Sequence, residues 1–111
     1  MTDLLQRRCV PCEGGVPRVD RDEAEAYLAS LGDWELDAEA QTITRKVNRR
    51  TFMDVIEMIN RIARLAESEQ HHPDLHLTGY RHLTIQLTTH AIGGLSENDF
   101  ILAAKIDELL Q

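Results

Sequence analysis

Between Thr51 and Pro73 the apolar residues fall on one helical face. Phe52, Val55, Ile56, Ile59, Ile62, Ala63 and Ala66 recur at three- and four-residue intervals, the spacing that lines side chains along one stripe of an α-helix. A stripe this long must be covered by other elements, so the rest of the chain has to supply a surface for it. Thr51, with Asp54 three positions later, provides the N-cap signal. Pro73 is expected to end the helix, because proline disfavours helical geometry at the residue before it, His72. The period then changes from 3.6 to 2. Leu83, Ile85 and Leu87 alternate with His82, Thr84, Gln86 and Thr88, which predicts a strand from Tyr80 to Thr89 with one face on helices and the other polar. By the same alternation His90 falls on the polar face. Leu75-His76-Leu77-Thr78 predicts a shorter strand before it.

The flanks complete the pattern. Asp20 with Glu23 makes a capping box, and Ala24, Tyr27, Leu28 and Leu31 carry a first helix over about 21–31 until Gly32. Trp34–Asp37 and Thr42–Val47 predict a hairpin; Ile43, Arg45 and Val47 share one parity, so its inner face is only partly apolar. Gly93-Gly94 breaks the chain. Ser96 and Asp99 then cap a last helix whose buried face is Phe100, Ala103, Ala104 and Leu110, widened by Ile101, Leu102 and Ile106. The order α-β-β-α-β-β-α predicts an α+β domain, an antiparallel sheet with helices on one face, over residues 20–111. Residues 1–19 hold Pro11, Gly14, Gly15 and Pro17 and are expected to form an irregular arm.

Composition narrows the functional classes. Twelve Lys and Arg against nineteen Asp and Glu leave a net charge of −7, which argues against a nucleic-acid surface. No apolar run approaches a membrane span, and the first residues lack a signal-peptide core, so a cytoplasmic protein is expected by default. Cys9 and Cys12 form a single C-x-x-C with no second pair, and are expected to be a feature of the arm rather than a metal or redox centre.

The chemistry concentrates in Glu67-x3-His71-His72-Pro73 and in His90. Three imidazoles that titrate near neutrality suit proton transfer and substrate anchoring. His71 and His72 are expected at the C-terminal end of the long helix; both reach one pocket only if the helix unwinds between them, since neighbours on a helix point ~100° apart. Glu67 lies four positions before His71, on its helix face, and is expected to orient an imidazole or raise its pKa. Asp99 is expected to orient His90 or a substrate amine, or simply to cap the last helix. His76 and His82 are expected to be solvated. Adjacent histidines are poor zinc-ligand spacing, so no metal is expected.

Taken together, Glu67-x3-His71-His72-Pro73, Tyr80, the alternation into Thr89-His90, and Gly94-Leu95-Ser96-x-x-Asp99 resemble the pterin-4a-carbinolamine dehydratase family from about residue 20 onward. The resemblance implies helices on one face of a four-stranded antiparallel sheet, and homodimers or homotetramers built by sheet extension and helix packing. It implies the conversion of 4a-hydroxytetrahydropterin to quinonoid dihydropterin and water, with His71, His72 and His90 catalytic, Glu67, Pro73 and Asp99 supporting or binding substrate, and no cofactor beyond the pterin substrate. The stretch 91–107 and the Cys9-x-x-Cys12 arm are similar to a branch of RuBisCO assembly factors, some associated with carboxysomes. That branch implies a chaperone for RuBisCO subunits with weak or no dehydratase activity, which is the leading expectation; an active dehydratase is the alternative. Leu75 stands where the family often has an aromatic residue.

Overall fold

The computed structural model describes residues 4–10 and 16–111. Three helices, α1 (Arg21–Leu28), α2 (Phe52–Glu69) and α3 (Glu97–Leu110), accompany four strands, β1 (Glu35–Leu36), β2 (Ile43–Asn48), β3 (Asp74–Thr78) and β4 (His82–Leu87). Short 3-10 turns occupy Leu4–Gln6 and His90–Ile92. The strands form one antiparallel sheet in the order β1-β2-β4-β3, the predicted α+β architecture.

Central strand β4 sets the layering. Leu83, Ile85 and Leu87 are all buried, each stabilising the fold by roughly 1.5–3 kcal/mol through loss of apolar contact with water. They pack with Ile43 from β2, Val55 and Ile62 from α2, and Phe100 and Ile106 from α3. His82, Thr84 and Gln86 point to the opposite face. The parity puzzle of Arg45 has a specific answer. It lies on the helix-facing side of β2 and meets Asp107 of α3 at 2.5 Å. Asp107 also accepts from the Trp34 indole N–H at 2.7 Å and the Gly32 N–H at 2.8 Å. The charge inside the layer is thus paired through Nη1, the condition for tolerating it there, while the buried Arg45 Nε has no hydrogen-bond partner among the described residues.

Four expectations need correction. Helix α1 ends at Leu28 rather than near residue 31, because Ser30 and Leu31 donate to carbonyls three residues back and tighten the chain. Helix α2 stops at Glu69, short of Pro73. Gln70 adopts the left-handed conformation (φ 55°, ψ 39°), its N–H bonding Glu67 O and the His71 N–H bonding Ala66 O. This is a Schellman motif, which glycine usually makes and a glutamine does not advertise. Strand β4 starts at His82, not Tyr80, since Gly79 and Tyr80 both turn left-handed (φ 55° and 57°) to close the β3–β4 hairpin. It also ends at Leu87, and His90 opens a 3-10 turn instead of extending the polar face.

The N-terminal segment is more than an irregular arm. Leu4 is buried in the core. Val10 exchanges two hydrogen bonds with the Asn98 side chain, at 2.9 and 2.7 Å, and the Cys9 N–H donates to Glu69 Oε1 at 2.9 Å. Cys12 lies outside the described residues. Lys105 donates to the other Glu69 oxygen at 2.6 Å. Burial alone would raise the Glu69 pKa, but the Cys9 N–H and the Lys105 ammonium outweigh it and hold the carboxyl below its ordinary 4.5. A depressed folded-state pKa contributes stability that is complete above the ordinary value and is lost as pH falls through the folded one. The Cys9 amide is therefore expected to lose hydrogen-exchange protection as pH falls below 4.5 and through the lowered Glu69 pKa. Glu69→Ala, which removes the acceptor, should reproduce the loss at neutral pH; unchanged protection in both cases would refute this anchoring. No helix among the described residues is long and apolar enough to cross a membrane.

Candidate active site

The residues that follow α2 and those that follow β4 meet at one cleft. The Schellman reversal at Gln70 throws His71 inward and leaves His72 outward, so the two adjacent rings take different environments. Pro73 follows, holding His72 out of helical geometry and leading directly into β3. From the other side, Thr89 pairs with Gly94 through Thr89 N–H to Gly94 O (2.8 Å) and the return bond (3.4 Å). Gly93, at φ 65°, closes the intervening loop, a conformation in which a Cβ is unfavourable. That loop presents His90. Gln70, His71, His72, Thr88, Thr89, His90 and Ala91 line one open cleft of about 180 Å³.

His71 is the buried member, 7% exposed. Its Nε2 lies 2.6 Å from Asp99 Oδ1, and Asp99 is wholly inaccessible. The second carboxylate oxygen accepts from Thr89 Oγ1–H at 2.8 Å and from the Ser96 N–H at 3.0 Å. Asp99 therefore does two jobs. It completes the capping box of α3, and it holds His71. His72 is exposed, and its Nε2 sits 2.5 Å from Glu67 Oε2. His90 is exposed.

The cleft thus gathers all three predicted histidines, with Glu67, Pro73 and Asp99 around them. The pairing differs from expectation. Glu67 holds His72, not His71, because the four-residue helical relation ends where α2 ends, one residue before Gln70. Asp99 holds His71, not His90. His76 and His82 lie exposed on the open face of the sheet, away from the cleft. Sequence reasoning passed over Thr89, Ser96 as a side-chain partner, and Gln70. A lone threonine before a histidine carries no signal of its own; only the pairing of Thr89 with Gly94 makes it face Asp99.

Two carboxylate–imidazole pairs and a third imidazole at one cleft are an acid–base constellation. The family profile described as pterin 4 alpha carbinolamine dehydratase matches residues 17–109. The chain belongs to that family. It is 47% identical over 106 residues to a Halorhodospira halophila protein named for pterin-4-alpha-carbinolamine dehydratase, covering 96% of each chain. It is 43% identical over 112 residues to pterin-4-alpha-carbinolamine dehydratase 2, mitochondrial, of Arabidopsis thaliana, covering 98% of this chain and 60% of that longer protein. Among solved structures it is similar to a transcriptional coactivator/pterin dehydratase from Brucella melitensis (TM-score 0.79, 25% identity, 86% of this chain and 100% of that one). It is also similar to a pterin dehydratase-like protein described as a RuBisCO assembly factor in the alpha-carboxysome (TM-score 0.58, 19% identity, 70% of this chain and 89% of that one). This second likeness is one of fold.

Proposed function

We propose that this protein is an active dehydratase that converts a 4a-hydroxytetrahydropterin to quinonoid dihydropterin and water. The observation that carries the reading is the convergence of His71, His72 and His90 on one cleft, two of them already held by carboxylates. The reaction needs an acid and a base at one small site. The C4a–O bond breaks as a proton reaches the departing hydroxyl, which leaves as water. The N5 lone pair forms the new C=N bond, and a base takes the proton from N5. Imidazoles on opposite sides of a cleft suit both transfers near neutral pH. His72 and His90, the exposed pair, are the imidazoles open to a ligand, while the buried His71 is held against Asp99. The dehydratase names of the 47% and 43% identical relatives support the same assignment.

The expected preference for a RuBisCO assembly factor rests, after the comparisons, on the fold likeness at 19% identity. It stands as the second reading, with a chaperone role toward RuBisCO subunits and association with a carboxysome. Self-association fits both readings, because Phe52 and Met53 at the start of α2 are 47% and 64% exposed.

The deciding experiment follows dehydration of freshly generated 4a-hydroxytetrahydropterin by absorbance. Acceleration well beyond ~10-fold over the uncatalysed reaction is expected, since positioned acid–base groups typically contribute more than that. A folded protein that stays within that margin, and that raises the yield of assembled RuBisCO on co-expression, would reverse the assignment.

A further inference from the structure

We infer that Thr89 is a positioning residue for His71, acting through Asp99; its consequence for turnover rests on the dehydratase reading above. Thr89 is 1% exposed, as is Ser96, and Asp99 is fully buried. Their hydrogen bonds form a single ordered chain. Thr89 Oγ1 lies 2.8 Å from Asp99 Oδ2 and 2.8 Å from Ser96 Oγ. A hydroxyl has one proton to give. A carboxylate can only accept, so the Thr89 proton points to Asp99, and Ser96 must donate to Thr89. The Ser96 N–H occupies the same carboxylate oxygen at 3.0 Å. With two donors on Oδ2, Oδ1 is left to accept from His71 Nε2–H at 2.6 Å. The ring is thereby held with its proton on Nε2, and its plane is set by a carboxylate that cannot rotate without breaking two other bonds.

The chain also explains why Thr89 sits where it does. Its backbone pairs with Gly94 in both directions, so one residue anchors the base of the His90 loop and aims a hydroxyl at the His71 carboxylate. Thr89 thereby couples the two walls of the cleft. Hydrogen bonds in such a buried series reinforce one another, and a displacement of about 1 Å at a reacting group can cost on the order of 100-fold in rate.

The test compares wild type, Thr89→Val and Thr89→Ser. Valine keeps the shape and removes the donor; serine keeps the donor and serves as the conservative rescue. The first readout is independent of catalysis: the proton resonance of His71 Nε2–H and the ring nitrogen shifts that report its tautomer. In wild type and Thr89→Ser the resonance is expected downfield and protected from exchange. In Thr89→Val it is expected to broaden or vanish while the backbone amide spectrum of the core persists. The second readout is kinetic. Turnover in Thr89→Val is expected to fall roughly 10- to 100-fold, with KM changed less than about 3-fold, and Thr89→Ser to recover most of the rate. An unaltered His71 resonance in a folded Thr89→Val protein overturns the inference, as does failure of Thr89→Ser to restore it. A wild type without dehydratase activity would instead remove the proposed reaction, and the resonance would still decide the role of Thr89.

Discussion

His72→Ala and His90→Ala are each expected to lower dehydration turnover by about 10²- to 10⁴-fold, the usual range for a positioned acid or base, without disturbing the fold. Both side chains are exposed, and surface substitutions away from special features change stability by roughly ±0.5 kcal/mol. The Glu67–His72 pair is itself solvent-facing, with 76% and 61% side-chain exposure, so its loss removes at most a weak surface interaction. Activity and stability should therefore separate cleanly in these two variants. The check is turnover measured beside the thermal midpoint. Either variant retaining wild-type turnover would remove that histidine from the proton transfers. A double variant no slower than the slower single one would mean that the two act as one unit.

Asp99 is expected to behave in the opposite way, with stability and activity lost together. In Asp99→Ala the Thr89 hydroxyl, the Ser96 N–H and His71 Nε2 all lose their buried acceptor. Leaving a buried donor without its acceptor typically costs about 1–3 kcal/mol, more where the lost acceptor is charged, a large part of the ~5–15 kcal/mol that holds a domain together. The urea midpoint should fall accordingly, and the loss of the α3 capping box adds to it. Asp99→Asn isolates the catalytic part. The amide oxygen must face the two donors on the Thr89 and Ser96 side, which turns the NH2 group toward His71. His71 Nε2 then has to accept, so its proton moves to Nδ1. A well-folded Asp99→Asn protein with turnover down by more than about 10-fold would match the cost of a wrong histidine tautomer. Wild-type turnover in Asp99→Asn would show that the state of His71 is irrelevant to the reaction.

The contrast between these variants follows from where each histidine sits, and much of that was legible beforehand. The stripe from Phe52 to Ala66, the alternation from Leu83 to Leu87 and the caps at Asp20, Thr51 and Ser96 specify helices and strands through local physics. Side-chain period and orphan N–H groups act within a few residues, and the observed elements follow them. The grouping of His71, His72 and His90 was legible as a combined motif. Its internal pairing was not. Glu67 and His71 satisfied a helical spacing rule, and the rule failed because Gln70 makes a left-handed stop that its side chain does not announce. Asp99 read as a cap or as a partner for His90, since nothing local connects it to a residue 28 positions earlier.

The sequence by itself determined the element order, the apolar faces and the identity of the three imidazoles, because these depend on contacts near in the chain. Only the tertiary structure decided which carboxylate serves which imidazole, that Thr89 and Ser96 join them, and that Leu4 and Val10 pack back onto the domain. Those pairings depend on where α2 stops and how the 88–94 loop folds against α3. A helix end shifted by three residues rotates and translates everything after it. Hydrogen-bond partners, which need placement to a few tenths of an ångström, are settled at that level rather than by residue type.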